Sequence, residues 1–247
     1  MASTTETGHA KNVANFDELT VSVKGYGTDY NPSKTSIKVE ALLSLSDSAK
    51  IVIGGVNKAL PAFSNAVAAR EAAFGPLSKL VTRLINALIA TDTTDHVDES
   101  AKTLARKIQG VRATPKMSKE EKDNISAAGK EVVEISASQM SYDSRLDNFD
   151  KLIKLLSSIE LYTPNEADLK VDALSGLYNE LKTKNDAVVN AAIPLSNARI
   201  ARNNVLYKDI TGMIDVAYDV KAYVKSVFGA NSSQYKQIGS LKFTRPR

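Results

Sequence analysis

The chain has 247 residues, of which 43% are hydrophobic and 24% charged, enough to build one large core or two small ones. It carries no cysteine, which excludes disulfides, thiolate metal sites and a cysteine nucleophile. A net charge of +4, spread evenly, and only two histidines, His9 and His96, argue against a dedicated nucleic-acid stripe, a His-rich metal site and a Ser-His-Asp triad.

Residues 1–14 are polar and lack an apolar leader segment, so they read as a disordered tail of a cytoplasmic protein. No window reaches the roughly 18 apolar residues of a membrane span. A short helix opens at Asn15-Phe16-Asp17 with Phe16, Leu19 and Val23 on one face. A Gly- and Asn-rich loop follows, and Pro32 with Ser33 reads as the start and cap of the next helix. Ile37, Ala41, Leu45, Ala49, Val52, Val56, Leu60 and Phe63 then recur at three- and four-residue spacing, which predicts a long helix of up to about 40 residues, or ~60 Å. Pro61 stands inside it, and a kinked helix is the favoured reading over a hairpin. After Gly75-Pro76 comes a third helix with Leu77, Leu80, Val81, Leu84, Ile85 and Leu88 on its apolar face. A short helix from about Glu99 leads into the basic stretch 107–112.

Residues 116–147 read as a polar, partly helical linker. The order of elements then starts again. Asn148-Phe149-Asp150 opens a helix, Tyr162 to Asn165 forms the loop, and Leu169, Ala173, Leu177, Leu181, Val188, Ala192 and Leu195 trace a second long helix containing Pro194. Residues 30–70 align without a gap onto 162–202, and 15 of the 41 positions are identical. The expected fold is therefore all-α: an elongated helical bundle of two duplicated units, 15–115 and 148–247, related by a pseudo-two-fold axis.

The duplication singles out one pair of residues. Arg70 and Arg202 close matching Ser-Asn-Ala-x-x-Ala-Arg motifs, seven residues after Phe63 and Leu195 and close to the apolar stripe. An arginine so placed needs a partner, and structural ion pairs with Asp17 and Asp150 are expected, against a role as anion or partner ligand. Each unit also ends on a basic element: Arg106, Lys107 and Arg112 in the first, Lys236, Lys242, Arg245 and Arg247 in the second, with Phe243 among the latter. These are candidates for binding a polyanion or a partner protein. Asp92, Asp95, His96, Asp98 and Glu99 could hold a cation, but acids before a helix also complement its dipole, which is the expected role. No phosphate-loop or dinucleotide fingerprint occurs, so no metal, cofactor or catalytic residue is assigned.

The run Asn-Pro-Ser-Lys at 31–34, paired with Pro-Asn-Glu-Ala-Asp-Leu-Lys-Val at 164–171, resembles a family of uncharacterised bacterial all-helical proteins. Ser-Asn-Ala-Arg-Ile-Ala-Arg-Asn at 196–203 and Gln-Tyr-Lys-Gln-Ile at 234–238 extend the likeness over nearly the whole chain. The resemblance implies a bacterial, internally duplicated helical protein and transfers no activity. Taken together, these features favour a non-enzymatic structural or interaction protein that pairs with itself, as oligomer or filament, or with another protein. A nucleic-acid or polyanion binder is the alternative, and a membrane-active bundle a further one.

Overall fold

The computed structural model describes residues 8–112, 118, 127 and 140–246. Every regular element among them is helical. In chain order they are α1 (His9–Gly25), a 3-10 turn at Gly27–Asp29, a second at Thr35–Ile37, α2 (Val39–Phe74), α3 (Leu77–Ile89), α4 (Asp95–Gln109), α5 (Tyr142–Ser157), a third 3-10 turn at Ala167–Leu169, α6 (Val171–Tyr207), α7 (Met213–Phe228) and α8 (Ser233–Gly239). No described helix is long and apolar enough to cross a membrane.

The two long helices run unbroken through Pro61 and Pro194. At 36 residues, α2 spans about 54 Å. Each proline removes one N–H, freeing the carbonyl four residues earlier. Both freed carbonyls belong to asparagines, Asn57 and Asn190, and both prolines are exposed, so water can satisfy the loss. The inner face of α6 is a strict seven-residue ladder of Leu174, Leu181, Val188, Leu195 and Arg202, all buried. In α2 the same ladder reads Leu42, Ala49, Val56, Phe63 and Arg70, with the first three buried. This is the 3.5-residue period of coiled-coil seams, and each ladder ends on an arginine.

The chain folds into two compact units, one made of residues 1–65 and 190–247, the other of 66–189. They cut across the repeats expected from the sequence. The first unit takes the opening of copy one and the close of copy two; the second takes the rest. The cause is the length of α2 and α6, each of which contributes one part to either unit.

In the first unit the core comprises Val13, Phe16, Leu19 and Val23 of α1, Tyr30, Ile37, Leu42 and Ala49, Leu206, the buried face of α7, Ile238 and Phe243. Helix α1 begins at His9, inside the stretch expected to be a disordered tail; residues 1–7 of that stretch lie outside the described residues. His9 and Asn12 are buried because they have work inside the fold. Asn12 donates to the Thr244 carbonyl at 2.7 Å and accepts from its N–H at 3.1 Å, and Asn15 donates to the Lys242 carbonyl at 2.7 Å. The extended C-terminal segment is thus strapped onto α1.

In the second unit Phe74, the inner faces of α3, α4 and α5, Tyr162, Leu169, Leu174 and Leu181 form the core. Small residues at Ala101 and Ala105 let α4 lie close to α3 and α5. Helix α4 starts at Asp95, a turn earlier than expected, and ends on Gly110, whose φ of +69° is a left-handed cap. Ser141 caps α5 by accepting from Ser144 N–H at 3.1 Å. Of the expected linker, 142–147 are the first turns of α5, while residues 116, 117, 119–126 and 128–139 lie outside the described residues.

Both loops close in the same way. The Tyr30 hydroxyl donates to the Ile37 carbonyl at 2.6 Å, and that of Tyr162 to the Leu169 carbonyl at 2.9 Å. Burial pushes both phenols up, that of Tyr162 to about 12. These bonds pin a 3-10 turn between each proline and its long helix. Pro32 and Pro164 therefore sit seven residues before the helix start, instead of at it.

Candidate functional site

The arginines that the repeat singles out have partners other than those expected. Arg70, in the second unit, lays its guanidinium 3.9 Å from the centre of the Tyr142 ring. Its Nη1 donates to Asn185 Oδ1 at 3.1 Å, and Asn185 in turn donates to Asp143 Oδ1 at 2.7 Å. Its Nε is buried without a hydrogen-bond partner. Arg202, in the first unit, is wholly buried and donates through Nε to Asn203 Oδ1 at 3.0 Å. It shares the wall of a cavity of about 90 Å³ with His9, Asn57 and Leu60. His9 Nδ1 lies 2.5 Å from the Tyr207 hydroxyl.

The ion pairs expected with Asp17 and Asp150 are replaced. Asp17 meets Lys50 at 2.5 Å and the Ser46 hydroxyl at 2.8 Å, which together hold its carboxyl below the usual carboxylate range. Asp150 pairs with Lys154, one turn along α5, at 2.5 Å. The physical reason is locality: each aspartate finds a lysine within its own unit.

The basic ends fall in different units. In the second unit Arg106 is tied to Glu99 at 3.1 Å and to the Lys102 carbonyl at 3.2 Å; Lys107 and Arg112 lie near it in sequence, with Arg112 exposed. In the first unit Lys236 and Lys242 are exposed, and Arg247 lies outside the described residues. Arg245 donates to Asp215 Oδ1 and to the Tyr207 carbonyl, each at 2.7 Å. Two of the guanidiniums proposed for a polyanion thus already hold the fold together.

Asp215 also accepts the Ile210 N–H at 2.8 Å. Arg245 first, and then this N–H, hold its carboxyl below the usual range. A depressed carboxyl contributes stability that is full above the unfolded value near pH 3.9 and is lost as pH falls through the folded value. In an acid titration followed by circular dichroism, Asp215→Asn is expected to flatten the loss of stability below about pH 4. An unchanged acid slope would show that the pair carries none of it.

The acidic run before α4 behaves as a helix start. Asp95 and Asp98 lie in the first turn, and Asp98 accepts from the Thr93 hydroxyl at 2.8 Å. Among the described residues no group of three or more His, Asp or Glu side chains could hold a metal ion.

Sequence reasoning missed two features. The first is a groove of about 530 Å³ between α3 and the loop around Tyr162, lined among others by Arg83, Asn86, Ala87, Asn165 and Glu166. The second is the open face of α6, where Val189, Ile193 and Ile200 are 55%, 56% and 46% exposed. At 100° per residue they fall within one narrow arc, with Ser196 between them. The signal for the second was present in the sequence as apolar residues that fall off the seven-residue ladder. Comparison of the chain with protein-family models, with curated proteins and with solved structures finds no match.

Proposed function

We propose that the chain is a non-enzymatic structural and interaction protein, and that it pairs with a second copy of itself through the open face of α6. The observation that supports this reading is the row Val189, Ile193, Ser196 and Ile200. Its steps of four, three and four read the same in both directions. Two antiparallel copies would set Val189 against Ile200 and Ile193 against Ser196, the self-complementary arrangement a two-fold interface requires. Branched aliphatic side chains gain by leaving water, at about 25 cal/mol per Å² of apolar surface covered.

Three side chains per copy make a small contact, so a weak and concentration-dependent association is expected, not a permanent dimer. Light scattering coupled to size exclusion tests this. The mass should rise above 26.6 kDa as concentration increases. The variant Ile193→Glu/Ile200→Glu should stay at monomer mass over the same range with an unchanged helical signal. A wild-type protein that remains monomeric up to millimolar concentration would rule the reading out.

A further inference from the structure

Residues 241–246 follow α8 and belong to no helix. Among the described residues, positions 242–245 make no backbone–backbone hydrogen bond. Side chains of α1 and α7 supply the partners instead. The Leu241 carbonyl accepts from Lys221 Nζ, that of Lys242 from Asn15 at 2.7 Å, that of Phe243 from the Tyr218 hydroxyl at 3.2 Å and that of Thr244 from Asn12 at 2.7 Å. Asn12 also accepts the Thr244 N–H at 3.1 Å, so one amide reads both main-chain groups of one residue. Successive carbonyls are thus held by side chains of another part of the fold, which is how an extended peptide is gripped by a receptor.

The side chains of the segment divide in the same way. Phe243 is buried, with its ring centre 6.3 Å from that of Tyr218 and 5.3 Å from Lys221 Nζ, while Lys242 and Thr244 on either side of it are exposed. Arg245 meets Asp215 of α7 at 2.7 Å and Asp209 of the preceding turn at 3.6 Å, so the cation of the segment faces carboxylates. Main-chain bonds supply affinity, and the alternate side chains select the sequence: an aromatic ring, then an arginine two residues on.

Nothing in this set of contacts depends on the segment being joined to α8 of the same molecule. The joint is Gly239–Ser240, where α8 ends, and both residues are exposed. We propose that residues 240–246 exchange between two copies of the chain, the segment of one seated in the α1–α7 cradle of the other with the bonds it makes at home. A second copy is the occupant the chemistry selects, because it carries the ring, the arginine and the spacing that the cradle holds here. An identical element traded between copies is a low-cost route to association. In cis the segment has an effective concentration on the order of millimolar, so the exchanged form is a minor population that grows with protein concentration. This contact is separate from the open face of α6 and does not require it.

The test uses the full chain carrying Ile193→Glu/Ile200→Glu, so that pairing through α6 is absent. The sequence has no cysteine and Lys242 is exposed, so Lys242→Cys accepts a single nitroxide. The nitroxide chain is mixed with an isotope-labelled chain that lacks it, at about 0.5 mM each, close to the effective concentration in cis. Exchange should broaden the side-chain amide signals of Asn12 and Asn15 in the isotope-labelled chain. An excess of free peptide 240–246 should remove the broadening, and the same peptide with Phe243→Ala should not. A complementary pair of variants raises the population: Phe243→Ala weakens only the segment, and Asn12→Ala/Asn15→Ala only the cradle. Each alone should run at 26.6 kDa, and their equal mixture should contain a species of twice that mass, at least several-fold more abundant than in either alone. The nitroxide measurement needs no weakened chain and stands even where such a variant does not fold. The proposal is overturned if no broadening reaches Asn12 and Asn15, or if broadening spreads evenly over the whole chain. It is also overturned if the mixture is no heavier than its parts while both variants keep their helical signal.

Discussion

Replacing Phe149 with alanine is expected to destabilise the second unit by about 3–5 kcal/mol, the range for deleting a fully buried phenylalanine. Phe149 is completely buried on α5, among Leu146, Leu152 and Ile153 of its own helix and the inner faces of α3 and α4. Its counterpart Phe16, 133 residues earlier, is equally buried in the core of the first unit. The loss combines the transfer free energy of the ring with a cavity that rigid neighbours cannot collapse. Ellipticity at 222 nm under urea is the appropriate probe, since the chain has no tryptophan. Making both single variants turns this into a test of coupling. Because α2 and α6 each enter both units, Phe16→Ala and Phe149→Ala should lower one shared transition by similar amounts. Two separate transitions, each moved by only one variant, would show that the long helices do not transmit unfolding. A loss below about 1 kcal/mol for either would contradict the packing.

Gly212→Ala is the second large effect, and backbone proximity causes it. Gly212 has an ordinary φ of −71°, so its conformation does not require glycine. A Cβ there would stand 2.5 Å from the Lys208 carbonyl oxygen and 2.6 Å from the Lys208 nitrogen, where only a shift of the main chain could relieve it. The site closes a tight turn between α6 and α7, where the Gly212 N–H donates to the Lys208 carbonyl at 2.7 Å. A neighbour in the same turn is already strained. Ile210 has φ +70°, a left-handed conformation that costs a β-branched residue roughly 1–2 kcal/mol. It is held there by its hydrogen bond to Asp215, which Arg245 positions. A methyl group at 212 should cost about 3 kcal/mol, the upper part of the overpacking range. Ile210→Gly should do the opposite and stabilise modestly by releasing the strain. If Gly212→Ala melts with the wild type, the turn is not as close-packed as its distances indicate.

The turn at 208–211 also explains why part of the candidate site was not legible in the sequence. Copy one matches copy two at an offset of 132 through Arg70 and Arg202, but α3 matches α7 at 136. The four inserted residues hide the correspondence of α3 with α7, and with it that of Ala87 with Tyr223. Register across an insertion is set by which residues are buried, and that is visible only once the helices are packed. The open face of α6 was hidden for a related reason. Val189 and Ile193 look like core residues by composition, and only the ladder of Leu181, Val188 and Leu195 beside them fixes which face turns inward.

The sequence by itself determined the all-helical class, the two long proline-containing helices, the paired loops with their tyrosines and the exceptional place of Arg70 and Arg202. These follow from local propensity, period and repetition, which act over a few turns of chain. The tertiary structure alone decided the partners. Arg70 stacks on Tyr142 and bonds to Asn185, Asp17 turns to Lys50, and the C-terminal segment with Arg245 is strapped onto α1 and the α6–α7 turn. Contacts between residues 33 to 232 positions apart depend on which faces of the helices meet. Here each unit draws on both halves of the chain, because α2 and α6 each contribute one part to either unit.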